Sequence, residues 1–97
     1  MICVDQLFAR RPPWRRGLRG HSCHLYSTER AEELVRFALD MELPTRWLQH
    51  SRTMPHYDLS AGLRAKALRL GARSVGRHEF VAHLRAWRAR SAHATAR

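Results

Sequence analysis

The chain has 97 residues, 44% of them hydrophobic, which fits one small globular domain and excludes both a disordered chain and a pair of ordinary domains. Its formal net charge is +10, and seventeen of its eighteen cationic residues are arginines, the exception being Lys66. A field of this sign attracts polyanions, and the planar arginine fork matches phosphate. Arginine is spread along most of the chain, so an ordinary solvated surface is the competing interpretation.

Cysteine content and hydropathy exclude several classes of protein. Cys3 and Cys23 do not form a Cys-x-x-Cys pair, which excludes zinc knuckles and thioredoxin-type motifs. No apolar run approaches the length of a membrane span and no secretory signal opens the chain, so we expect a cytoplasmic protein without a membrane partner. A domain of this size buries a modest share of its surface, which leaves a homo-oligomer open.

The first predicted elements are two strands. Residues 1–4 are apolar and are followed by Asp5, as in a short buried strand. Residues 21–26 alternate in polarity, which predicts a second strand with His24 on its polar face.

An arginine-rich loop is predicted between these strands, because residues 10–20 contain two prolines and two glycines. Its basic residues offer phosphate contacts beside a tryptophan that can stack on a base. The candidate nucleic-acid-binding residues are Arg10, Arg11, Trp14, Arg15, Arg16 and Arg19. The alternative is a solvated loop with Trp14 tucked into the core.

Three helices are predicted downstream. The first follows a cap at Ser27 or Thr28 and ends before Pro44, since its apolar residues recur at helical spacing. A short strand is expected over residues 46–49, and a second helix, capped by Asp58 or Ser60, is expected to end at Gly71.

The last predicted elements are a short extended piece at residues 72–75 and a third helix with Phe80, Leu84 and Trp87 on one face. Residues 91–97 are expected to be a disordered tail. The element order predicts a single compact α/β domain over residues 1–90, with a small sheet of three to four short strands packed by three helices.

Several local strings resemble one family, the domain-of-unknown-function family numbered 4031, which comprises small bacterial and phage proteins. The resemblance covers about residues 2–88 and implies no known activity. Members of that family often carry histidine after the Glu-Leu pair of the first helix, where this chain has Val35. A role of such a histidine in a metal or catalytic centre is therefore not expected in this chain. The strings are Val4-Asp5, Cys23-His24-Leu25, Glu33-Leu34 with Phe37-Ala38, Leu43-Pro44 with Arg46-Trp47-Leu48-Gln49, His56-Tyr57-Asp58-Leu59, Leu63-Arg64, Ala67-Leu68, Gly71-Ala72 and Glu79.

The segment His56-Tyr57-Asp58 is the best candidate for a functional site. A histidine and a carboxylate two residues apart suit a base with its orienting partner, or two ligands of a divalent metal. If the strands are neighbours, Asp5 and His24 converge with this pair on one edge of the sheet. The alternative is that Asp58 caps a helix, Tyr57 packs in the core and His56 is a surface residue.

Four further residues are candidate ligand contacts. Trp47 and Gln49, on the same side of the expected short strand, can form one wall of a pocket for a planar ligand, although a tryptophan is more often core. Tyr57 and Arg64 are the other two candidate ligand contacts.

The sequence supports two main hypotheses. In the first, the protein binds nucleic acid or a phosphate-bearing ligand through the arginine-rich loop, next to a His/Asp cleft. In the second, it is a small metal-dependent hydrolase or nuclease that uses His24, His56, Asp58 and Asp5, with the metal unidentified. A third reading is a protein-interaction subunit without catalysis. No P-loop, Gly-x-Ser-x-Gly or His-Glu-x-x-His motif is present to decide whether the protein is an enzyme.

Overall fold

A mixed β-sheet with three helices forms the molecule. The computed structural model describes residues 1–9 and 21–95. The strands are β1 (Ile2–Val4), β2 (Phe8–Ala9), β3 (His21–Ser27), β4 (Tyr57–Leu59) and β5 (Arg73–Ser74). The helices are α1 (Ala31–Asp40), α2 (Ala61–Arg69) and α3 (Arg77–Thr95), with a single 3-10 turn at Thr45–Trp47. The predicted α/β fold, with one small sheet and three helices, is confirmed.

The strand β3 lies at the centre of the sheet. Leu25 pairs with Val4 of β1 and with Tyr57 of β4, both antiparallel, so these two strands flank β3. The strand β2 also pairs antiparallel with β3, and β5 joins β1 in parallel. The sheet is therefore four strands wide, in the order β5, β1 with β2, β3 and β4.

A β-bulge separates β1 from β2. Val4 pairs with Leu25, and Phe8 pairs with Ser22, so the first strand uses one more residue than β3 between these two pairs. Such an extra residue interrupts the backbone ladder and re-aims the neighbouring side chains. The sequence did not predict the bulge or β2.

The two faces of the sheet have different partners. Because side chains alternate along a strand, Cys23 and Leu25 lie on the face that α1 and α2 cover, while His24 and Tyr26 lie on the face that α3 covers. The predicted apolar face of the third helix is confirmed, since Phe80, Leu84 and Trp87 pack on this second face. The buried core on the α1 and α2 side comprises Ile2, Val4, Cys23, Leu25, Leu34, Ala38, Met41, Leu43, Tyr57, Leu59, Ala67 and Ala72.

The prediction of a strand over residues 46–49 is wrong. Pro44 starts a 3-10 turn, in which the backbone N–H of Trp47 donates to the carbonyl of Pro44 (3.0 Å). Only Gln49 keeps extended pairing, through an isolated bridge to His56. Trp47 and Gln49 consequently do not share one side of a strand.

The second helix begins later than one of its two predicted caps. Asp58 belongs to β4, and the Ser60 hydroxyl accepts the backbone N–H of Leu63, so Ser60 is the cap. Asp58 is therefore not the N-cap residue of α2.

The third helix continues to Thr95, past Ser91, where the sequence predicted the start of a disordered tail. Two of the residues from Ser91 to Thr95 are alanine, the strongest helix former, which favours continuation of the helix without an apolar stripe. Residues 96–97 and the arginine-rich residues 10–20 lie outside the described residues. Within the described ranges, no helix is long and apolar enough to cross a membrane.

Candidate metal centre

Four polar side chains meet on the face of the sheet that α3 covers. His24 and Asp58 are directly opposite each other in the pairing of β3 with β4. Asp5 hydrogen-bonds His24, and Nε2 of His56 lies 3.6 Å from Oδ1 of Asp58. The structure thus brings together the four residues that the sequence suggested would converge. Their participation in a functional site stays a prediction.

The bulge places the Asp5 carboxylate where a backbone acceptor would otherwise stand. Its Oδ1 accepts the backbone N–H of His24 (2.6 Å), and its Oδ2 accepts the ring Nδ1–H of the same histidine (2.7 Å). The displaced carbonyl of Asp5 accepts Nε–H of Arg64 (2.9 Å) instead. Because a carboxylate only accepts, the His24 proton lies on Nδ1, and Nε2 is left for a ligand.

The ring of His56 is oriented in the same way by a backbone carbonyl. Its Nδ1–H donates to the carbonyl of Met54 (2.8 Å), so Nε2 points its lone pair towards Asp58. Burial lowers the pKa of His56 below its ordinary value, which favours the neutral imidazole that a metal ion needs.

An amide holds the carboxylate of Asp58 from the side opposite to His56. The side-chain Nε2–H of Gln49 donates to Oδ2 of Asp58 (2.7 Å). The backbone groups of Gln49 and His56 exchange two hydrogen bonds, of 2.9 and 3.0 Å, which fixes Gln49 beside the pair. Gln49 therefore contacts the candidate centre through its hydrogen bond to Asp58, and its predicted role as a ligand contact stays a prediction.

Two phenylalanines enclose the His24 ring. Phe80 of α3 stacks on it at 5.2 Å with an interplanar angle of 5°, and Phe8 of β2 stacks at 5.2 Å and 29°. The His56 ring meets it edge-on at 5.1 Å. This packing fixes the plane of the imidazole and shields its faces from water. No sequence pattern predicts this contact of Phe8, because the bulge that orients its ring has no sequence signature.

His24, His56 and Asp58 form a set with metal-binding geometry. Each offers one ligand atom, and these atoms all lie within 4.8 Å of one another. Two imidazoles and a carboxylate are the donor set of catalytic zinc sites and of mononuclear iron sites. Asp5, the Met54 carbonyl and Gln49 each hold one of these ligands from behind, an arrangement that orients ligands in known metal centres.

The other predicted contacts lie elsewhere. Tyr57 is buried in the core on the opposite face of the sheet. The guanidinium of Arg64 binds the Asp5 carbonyl and the hydroxyl of Ser74 (2.9 Å each). Trp47 is part of the 3-10 turn and 37% exposed. Val35 lies on α1, across the sheet from His24.

The α/β fold and the His/carboxylate cluster define a small protein with one candidate metal centre in its described part. Residues 3–87 match the model of a family described as a protein of unknown function (DUF4031), and the chain belongs to that family, as the resemblance of its local strings predicted. No curated protein and no solved structure matches the chain.

Proposed function

We propose that the protein is a metal-dependent hydrolase in which His24, His56 and Asp58 bind the ion. The observation that carries the proposal is the convergence of three ligand atoms within 4.8 Å, each on a side chain held by an outer partner. Packing alone does not require three such partners around one point.

Zinc is the ion that the spacing favours. Ligand atoms about 2.1 Å from an ion lie about 3.4 Å apart in tetrahedral geometry and about 3.0 Å apart at neighbouring octahedral positions. Nε2 of His56 and Oδ1 of Asp58 are separated by 3.6 Å, which is closer to the tetrahedral value. Binding would draw the remaining imidazole nitrogen towards this pair.

The proposed hydrolytic chemistry depends on coordination of the ion by three protein ligands. Zn²⁺ held in this way keeps a fourth position for water and lowers the pKa of that water to about 7, which supplies a nucleophile for ester hydrolysis near neutral pH. Phe8 and Phe80 limit water around His24, and a drier site strengthens electrostatic interactions.

A phosphate-bearing substrate, nucleic acid included, suits the charge of the chain. The net charge of +10 concentrates polyanions around the protein, and residues 10–20 hold five of its arginines. Ala9 and His21, which flank that segment, pair with each other on β2 and β3, and His21 stands three residues before His24. The two residues that flank the segment therefore lie on the sheet that carries His24.

Metal binding is the first test. We expect metal-free protein to bind one Zn²⁺ per chain in a competition titration, and we expect His24→Ala, His56→Ala and Asp58→Asn to weaken binding at least tenfold. His78→Ala is the matched control, since His78 is exposed on α3. Affinity should fall at acid pH, because protons then compete with the metal for the imidazole of His56, and because burial lowers the pKa of His56 this loss should set in below the ordinary histidine pKa. Stoichiometric binding that survives all three ligand variants would exclude this site.

Hydrolysis and nucleic-acid binding are tested separately. Zinc-loaded protein is expected to cleave bis-p-nitrophenyl phosphate, and Asp58→Asn is expected to abolish that turnover. Binding to mixed-sequence DNA and RNA is expected to weaken steeply as salt rises. Metal binding without turnover of phosphate or acyl esters would refute the proposed hydrolase activity. Absence of nucleic-acid binding at low salt would refute nucleic acid as the substrate.

A further inference from the structure

We infer that Gln49 is a positioning residue that makes Asp58 bind the metal through Oδ1 alone. The inference rests on the proposed metal centre and deepens it. It assigns the coordination mode of the carboxylate, and with it the number of positions left for water and substrate.

The two oxygens of Asp58 face different partners. Oδ2 accepts Nε2–H of Gln49 at 2.7 Å, whereas Oδ1 points towards Nε2 of His56 at 3.6 Å. An oxygen that accepts a short hydrogen bond from an amide is held away from an ion that binds its neighbour. The carboxylate is therefore oriented to present one oxygen.

The position of Gln49 comes from its backbone. Its N–H and carbonyl bond the carbonyl and N–H of His56, so the amide and the imidazole ligand are carried by one backbone bridge. Gln49 is an exposed residue, and its side chain is absent from both clusters of the hydrophobic core. A replacement of this side chain leaves the bridge and the core in place.

Coordination mode decides whether the site can react. One oxygen from Asp58 and two imidazole nitrogens leave the fourth tetrahedral position open for water. If both carboxylate oxygens bound, they would occupy that position or force a higher coordination number. Gln49 thereby keeps the ion available to substrate.

Cobalt substitution reports this difference directly, because four-coordinate Co²⁺ absorbs visible light far more strongly than five- or six-coordinate Co²⁺. We expect the Co²⁺-loaded wild-type protein to show the intense spectrum. Gln49→Met keeps the length of the side chain and removes the donor, and it should weaken the absorption several-fold. Loss of an outer partner should also reduce Co²⁺ affinity about 10- to 100-fold.

Gln6→Met is the matched control. The chain has two glutamines, and Nε2–H of Gln6 donates to the carbonyl of Val75 (3.3 Å), away from Asp58. Its spectrum should equal that of the wild type. Circular dichroism checks the fold, and Gln49→Leu provides a second variant without a donor.

The outcomes separate the two claims. A wild-type protein that binds no Co²⁺ would overturn the metal centre and this inference with it. A wild type with the intense spectrum that Gln49→Met and Gln49→Leu reproduce would overturn the role of Gln49 alone. A weak six-coordinate spectrum in the wild type would also overturn that role while leaving metal binding intact.

Discussion

His24 and Asp58 are directly opposite each other on β3 and β4, so their side chains leave the sheet on the same face although they are distant in the sequence. Opposed residues on antiparallel strands have Cβ atoms about 5 Å apart. A short imidazole and a shorter carboxylate can therefore reach one ion from rigid strands, without a loop to position them. The site is built into the register of the sheet.

Asp5→Asn tests whether Asp5 orients His24. The carboxylate accepts two hydrogen bonds from His24, and an amide can accept only at its oxygen, so the ring should lose its preference for a proton on Nδ1. We expect Zn²⁺ affinity to fall about 10- to 100-fold. The measurement is a competition titration against a chromophoric chelator.

The control for that variant is Asp40→Asn, since Asp40 is an exposed residue at the end of α1. Equal affinity in the two variants would show that Asp5 does not orient the ligand.

Hydrophobic periodicity predicted those strands and helices whose apolar side chains recur with the period of the element. The helical spacing of Leu34 and Ala38 reflects burial on one face of α1, and the alternation of residues 21–26 reflects a strand whose two faces pack against different helices; both elements are present. The bulge at Asp5 has no such signature, because one extra residue changes register without changing composition.

The candidate site was predictable as a set of residues and not as a geometry. Polar residues at strand ends pointed to Asp5, His24, His56 and Asp58. The contacts of Gln49 and His56 were not predicted, since the Gln49 bridge depends on a turn that the sequence predicted as a strand, and the acceptor for His56 is a backbone carbonyl. A hydrogen bond to a backbone carbonyl cannot be predicted from residue types, because every residue carries that carbonyl.

Leu34→Ala tests the core between α1 and the sheet. The Leu34 side chain is fully buried, so truncation should leave a cavity and lower the free energy of unfolding by about 2–5 kcal/mol. Leu39→Ala, on the same helix but 61% exposed, should change it by less than about 0.5 kcal/mol. Urea denaturation followed by circular dichroism gives both values. Similar losses in the two variants would contradict the packing described.

Tyr26→Phe tests the polar contact between the sheet and α3. The buried Tyr26 hydroxyl shares a hydrogen bond with Nδ1 of His83 (2.7 Å), and its loss should cost about 0.5–1.5 kcal/mol. A cycle with His83→Ala isolates the pair, because the double variant should then be more stable than the sum of the single losses predicts. Strictly additive losses would show that the two side chains are not coupled.

Alkaline pH should destabilise the fold through groups that are buried in their neutral forms. Burial raises the pKa of Cys23 to about 12, and it also raises the pKa values of Cys3, Tyr26 and Tyr57. In the unfolded chain thiols ionise near pH 8.5 and phenols near pH 10, each value being about the model-peptide one. Above these values the folded state binds more protons than the unfolded state, so stability falls as the pH rises, by about 1.4 kcal/mol per unit for each group fully past its unfolded pKa.

Below about pH 8 both states hold these protons, and the four groups cause no pH dependence there. Urea midpoints between pH 7 and pH 10.5 measure the effect. Cys23→Ala should be less stable at pH 7 because it loses buried volume, yet it should lose less stability between pH 8.5 and pH 10.5 because one titrating thiol is gone. An alkaline slope that is unchanged in Cys23→Ala would mean that Cys23 does not stay protonated in the folded state.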